Sequence, residues 1–173
     1  MLKKKHYQNV IDSLANLDEQ AYRIHFHWMN QALALAQAAS KLGEVPIGAV
    51  IVDRQGNKIA QAANRKQREQ DPTAHAEILA IRAATRALGN CYLPDCALYV
   101  TLEPCPMCAG AIIHSRLKLL VYGADDPKTG AIRTVLNLPD SYGSNHRLQV
   151  LAGIQEQACR QQLQIWFEQR RTQ

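Results

Sequence analysis

His75-Ala76-Glu77 and, thirty residues on, Pro104-Cys105-Pro106-Met107-Cys108 offer an imidazole, two thiols and a carboxylate. Soft sulfur with imidazole selects zinc over magnesium, calcium or manganese. A structural zinc site closes its tetrahedron with four protein ligands, whereas a catalytic one uses three and keeps the fourth position for water or substrate. His75, Cys105 and Cys108 make three. Cys91 and Cys96 lack the local spacing to join them, and with Cys159 they read as packing residues. Glu77 stays uncommitted, close enough to take a proton from a water whose pKa zinc lowers to about 7 to 9. Singly, a C-x-x-C is as often a redox pair or half of a structural site, and a lone histidine is usually packed. Jointly the residues predict a zinc-dependent hydrolytic centre.

Both halves of this centre are expected at helix N-termini, where the dipole and free N–H groups lower thiol pKa values. Asp71-Pro72 predicts a helix start, running to about Leu88 before Gly89-Asn90. Cys105 to His114 predicts a short helix with Pro106 in its first turn. Ala97 to Thr101 and Lys118 to Tyr122 read as strands flanking that helix, a unit that joins parallel strands. Ile47 to Val52 and Ile59 to Ala63 form a hairpin across Gly56-Asn57, with Asn64 at its far end. From Trp28, the residues Ala32, Leu35, Ala39 and Leu42 recur at helical spacing until Gly43. A short strand at Gln149 to Leu151 and a long helix from about Ile154 to Arg171 complete the chain. The expectation is α/β, a mixed, largely parallel sheet with helices on its faces.

At 173 residues one domain is expected, residues 26–173, after an extension over residues 1–25 in which Val10, Leu14 and Leu17 are loosely spaced as on a helix. Apolar runs are too short to span a bilayer, and the polar residues after Lys3-Lys4-Lys5 interrupt a secretory signal, so a cytoplasmic location without membrane attachment is expected. The net charge of +5 and pI near 9.0 are modest support for a polyanionic partner. Arg65, Lys66 and Arg68 precede the first metal motif, and Arg170 and Arg171 lie near the chain's end.

H-x-E with P-C-x-x-C is the signature of zinc-dependent deaminases. Glu44-Val45-Pro46-Ile47-Gly48-Ala49-Val50, Asn64-Arg65, Asp71 to Ile78, Thr101 to Arg116 and Asp126-Pro127-Lys128-Thr129-Gly130 narrow the match. From about Phe26 onward the chain resembles the bacterial tRNA-specific adenosine deaminases. The resemblance implies a three-layer α/β/α cytidine-deaminase-like fold, a homodimer with one Zn2+ per subunit, and the anticodon stem-loop of a tRNA as partner. The implied reaction is hydrolytic conversion of adenosine to inosine at the wobble position, chiefly in an arginine tRNA, with Glu77 as proton carrier. By the same resemblance Asn64 bonds the flipped nucleotide, Glu44, Val45 and Pro46 line the pocket, and the backbone at Pro104 faces the metal-bound water. Asp126, Lys128 and Asn145 match contacts to neighbouring nucleotides, and Phe167, Arg170 and Arg171 match a terminal helix that approaches RNA.

Four features depart from the family pattern: the extension, Asp125 and Glu168 where basic residues are common, and Ala131-Ile132-Arg133-Thr134 in place of a small-residue run. Loss of two positive charges facing phosphate would weaken binding. The rival readings are a zinc deaminase of a free base or nucleoside such as guanine, and a non-catalytic zinc module that only binds RNA.

Overall fold

Every residue of the strand Gly48–Val52 is buried, because helices cover both sides of the sheet it belongs to. Side chains alternate across a strand. Ala49 and Ile51 enter one core cluster, and Val50 and Val52 the opposite one. The computed structural model describes residues 17–171 and the backbone of one further short strand, Ile11–Asp12. The elements are β1 (Ile11–Asp12), α1 (Glu19–Lys41), β2 (Gly48–Val52), β3 (Lys58–Ala63), α2 (Ala76–Leu88), β4 (Ala97–Leu102), α3 (Pro106–His114), β5 (Leu119–Ala124), β6 (Gln149–Ala152) and α4 (Glu156–Arg171).

The sheet has six strands in the order β1-β6-β5-β4-β2-β3. The pairs β1/β6, β6/β5 and β5/β4 are parallel, and β4/β2 and β2/β3 are antiparallel. The mixed, largely parallel sheet and the parallel pair flanking the cysteine helix are as the sequence predicted. One cluster packs α2 and α3 residues (Ala76, Ala80, Ala84, Ala109, Ile112) against Ile51, Val100 and Leu120. The other packs Met29 and Ala32 of α1 and Cys159 of α4 against Val50, Tyr99 and Val121. These are the three layers. At Gly48 the α1 backbone comes so close that a Cβ would run into the Ala32 carbonyl. No helix among the described residues is long and apolar enough to cross a membrane.

Two helix starts differ from expectation. The first helix begins at Glu19, nine residues before Trp28, with the Asp18 carboxylate capping the Ala21 amide at 2.7 Å. Its early turns are mostly solvent-facing, so they carry no apolar stripe, and Leu17 packs beside the second cluster. Val10 and Leu14 lie outside the described residues. The second helix begins at Ala76 rather than at Pro72. Asp71 instead closes a local turn, accepting from the Thr73 amide and hydroxyl, each at 2.7 Å. That delay leaves His75 as an extended N-cap residue, φ −75° and ψ 151°, whose side chain caps nothing and is available as a ligand.

The register brings all the chemistry to one edge. The ends of parallel neighbours β4 and β5 align, Leu102 with Ala124, so Glu103-Pro104-Cys105 and Asp125-Asp126 leave the sheet side by side. Antiparallel β2 starts, and β3 ends, at that same edge, with Gly48 opposite Ala63. Residues 44–47 and Asn64 are therefore delivered there too. Ligands in α/β sheets commonly sit outside the carboxyl ends of strands, where the loops diverge.

Candidate active site

His75 and Cys105 are both helix N-cap residues, and neither side chain is used as a cap. His75 Nδ1 lies 3.8 Å from Cys105 Sγ and 3.6 Å from Cys108 Sγ. All three donor atoms fall within 4.8 Å of one another, the group among the described residues that can hold a metal ion. Tetrahedral zinc with bonds of about 2.3 Å to sulfur and 2.0–2.1 Å to nitrogen separates the two by about 3.6 Å. The donor set fits zinc in chemistry and spacing. Cys91 is exposed, and Cys96 and Cys159 are buried in the two cores, away from the group. Burial pushes the Cys159 thiol up to about 12, which makes it an inert packing group.

The two sulfurs share charge unevenly. Hydrogen bonding from Cys108, and then from His75, holds Cys105 down at about 4. The Cys105 sulfur and burial push Cys108 up. The hydrogen bond to Cys105 also raises His75. A metal ligated here requires both sulfurs as thiolates and a neutral imidazole.

Glu77 sits in the first turn of α2 and is only 3 % exposed. Burial raises its carboxyl pKa, although the neighbouring His75 charge opposes this. Its Oε2 has no hydrogen-bond partner. Buried polar atoms are nearly always paired, so such an atom marks a place for a ligand, water or proton. Asn64 Oδ1 is unpartnered in the same way, while its Nδ2 donates to Glu44 Oε2 at 3.3 Å. The Asn64 amide bonds the Ile47 carbonyl, and the Arg65 amide bonds the Ala74 carbonyl, each at 3.0 Å. Asn64 is thus held between the 44–47 segment and the residue preceding His75.

Glu44 does something its sequence context did not reveal. Its fully buried carboxylate accepts from Asn64 and from the Gln67 and Arg68 amides, at 3.2 and 2.8 Å. It organises the 64–68 loop from beneath. Val45 is half-buried and Pro46 buried beside it. Glu103 has the same kind of task across the site. It accepts from the amides of Asp126, Ile132, Arg133 and Thr134 at 2.8–3.1 Å, and from the Thr134 hydroxyl. The Pro104 carbonyl accepts from the Ala131 amide at 2.9 Å. Neither carboxylate role has a sequence signal beyond an acidic residue within an apolar stretch.

The RNA-facing candidates divide. Asp126 and Lys128 stand at the site edge, with the Asp126 carboxylate turned onto Lys128 and Thr129 amides. Asn145 is not brought there. Its neighbour His146 bonds the Leu117 carbonyl at 2.6 Å, before the start of β5 and on the order of 16 Å along that strand from its site end. On α4, Phe167 is exposed and lies edge-to-face on Trp166, centroids 4.9 Å apart. Arg170 stacks over Trp166 at 4.2 Å and donates to the Gly43 carbonyl at 2.8 Å, one residue before Glu44. Arg171 and Glu168 are exposed.

The geometry has counterparts among known proteins. Residues 24–166 match the family model described as MafB19-like deaminase. A tRNA-specific adenosine deaminase of Haemophilus influenzae is 50% identical over 143 residues, covering 83% of each chain. A solved tRNA:A34 deaminase is 45% identical with a TM-score of 0.77, covering 79% of this chain and 99% of its own. A guanine deaminase of Nitrosomonas europaea is further off, at 28% identity and a TM-score of 0.70, over 82% of this chain and 83% of its own. With half of the 143 aligned residues identical to those of the Haemophilus influenzae enzyme, over most of both lengths, the chain belongs to the tRNA-specific adenosine deaminase family.

Proposed function

We propose that this protein converts adenosine to inosine at the wobble position of a tRNA anticodon, with one zinc ion held by His75, Cys105 and Cys108. When bound there, zinc supplies Lewis-acid activation of water at neutral pH. The observation that carries the reading is the buried Glu77 Oε2, unpartnered beside a three-donor metal group. Glu77 takes the proton released by the attacking water and delivers it to the ring nitrogen beside the reacting carbon. It then carries the second water proton, from the hydroxyl added to the ring carbon, to the amine, which leaves as ammonia as the C=O forms, so adenosine and water become inosine and ammonia. Burial suits the carboxyl to this work, since a raised pKa lets it hold a proton between the two transfers. Asn64 Oδ1, left without a partner, accepts from the flipped nucleotide, and Glu44 fixes the Asn64 amide by taking its Nδ2–H. Val45, Pro46 and Pro104 wall the pocket, and Asp126, Lys128 and the end of α4 meet the flanking RNA.

The test is inosine sequencing of an arginine tRNA, and of its isolated anticodon stem-loop, after incubation with the zinc-loaded protein. Conversion of the stem-loop far ahead of free adenosine or guanine is expected; comparable rates on the free base or nucleoside would overturn the tRNA reading.

We assign the protein to the cytoplasm, where reducing conditions keep Cys105 and Cys108 available as ligands, and to a homodimer. Support for the dimer comes from apolar side chains left open on one loop, Val135 and Leu136 about half exposed and Tyr142 at 88%. Sedimentation is expected at twice the chain mass at micromolar concentration, and a monomer there would refute the assembly.

A further inference from the structure

Asp125 and Arg133, two of the residues that depart from the family pattern, bond each other. Arg133 Nε donates to Asp125 Oδ1 at 3.1 Å, and its Nη2 donates to Oδ1 at 2.9 Å and Oδ2 at 3.0 Å. The Tyr122 hydroxyl donates to the same Oδ1 at 3.1 Å, and the guanidinium lies over the Tyr122 ring at 5.7 Å. Planar, two-oxygen geometry of this kind is the strong form of an arginine ion pair.

Its place gives the pair meaning. Asp125 directly follows the last residue of β5, whose carbonyl takes the Glu103 amide at 2.8 Å. The Arg133 amide donates to Glu103 Oε1 at 2.8 Å. Glu103 is two residues before Cys105, so both partners stand on the rim of the site, with side chains 33% and 38% exposed. A lone arginine there would neutralise one phosphate and release one counterion. Fused to a carboxylate it carries no net charge and releases none.

Resting on the reading that the substrate is RNA, we propose that Asp125 sets RNA affinity by restraint. It holds Arg133 as a neutral pair at the rim and withholds one phosphate contact that the guanidinium would otherwise make. The pair engages Nε and Nη2 of Arg133, so Nη1 adds two N–H donors for that contact once the pair's charge is unbalanced.

Asp125→Asn removes the charge and keeps the shape, since an amide oxygen still accepts from the guanidinium. Binding of the zinc-loaded protein to an anticodon stem-loop is measured between 50 and 200 mM salt. Asp125→Asn is expected to steepen the slope of log K against log salt by about 0.7 to 0.9, an added salt sensitivity of about threefold across that range. In an Arg133→Gln background the same substitution is expected to leave the slope unchanged. Asp95→Asn, at the exposed turn before β4, serves as the control for net charge and should not move it. An unchanged slope in Asp125→Asn overturns the proposal. So does a steepening that persists with Arg133→Gln, because Asp125 would then repel RNA directly. Absence of inosine on the stem-loop would sink the tRNA reading and this one with it, whereas inosine formation with an unmoved slope sinks this one alone.

Discussion

Glu77→Gln is expected to keep about one zinc per chain and to lose inosine formation by a factor on the order of 10² to 10⁴, the range for removing a general acid–base. Its Oε2 lies outside the metal donor group and without a hydrogen-bond partner, so the isosteric amide removes a proton carrier and little else. Stability should hold or rise, because a buried carboxyl with a raised pKa is itself costly to ionise. His75→Ala, Cys105→Ala and Cys108→Ala divide the same machinery the other way. Each leaves two donors where three lay within 4.8 Å, and zinc content by elemental analysis should fall with activity. Metal retained in all three variants would refute the ligand set, and full activity in Glu77→Gln would refute the proton carrier. Together the four variants also decide against a zinc module that only binds RNA, for which Glu77 would be dispensable.

The metal donors were legible in the sequence because their chemistry depends on residue type and short spacing. Cys105 and Cys108 share one helical turn, and Pro106 between them marks where that turn begins. The fold was legible where side-chain periodicity reports burial, as in the unbroken apolar run at Gly48–Val52. Helix starts were harder, since a local hydrogen bond and a helix compete for the same residues. Asp71 satisfied the usual signs of an N-cap, yet its carboxylate bonds Thr73 and the helix waits until Ala76. Long-range commitments were not legible at all. Arg170 was expected on a helix end that approaches RNA, and nothing in its spacing tied it to Trp166 and the Gly43 carbonyl, which link the end of α4 to the segment leading into Glu44. Asp125 read as a lost positive charge, and nothing eight residues away announced that Arg133 would fold back to pair with it.

Glu103 is the residue whose loss should cost most among those that touch neither metal nor substrate. Its carboxylate, 2% exposed, collects four backbone amides and a hydroxyl from residues 126–134. A loop with little regular structure must place its amides somewhere, and here one side chain takes them. Glu103→Ala strands those donors, each costing about 1 to 3 kcal/mol if it stays buried. Arg133 and Thr134 are exposed enough for water to recover part of this, so a net loss of about 2 to 4 kcal/mol is expected by urea denaturation. Glu103→Gln should cost roughly half as much. Its carbonyl can still serve the Ile132, Arg133 and Thr134 amides at Oε1, and its amide conflicts chiefly with Asp126 N–H, since the Thr134 hydroxyl can turn to accept. Activity should fall further than stability in both variants, because the loop Glu103 pins also carries Asp126 and Lys128 and closes on Pro104 beside Cys105. Glu103→Ala within about 0.5 kcal/mol of the parent protein would mean that the loop holds itself. The rim that presents Asp125, Asp126 and Arg133 would then owe its shape to its own turns rather than to the buried carboxylate beneath it.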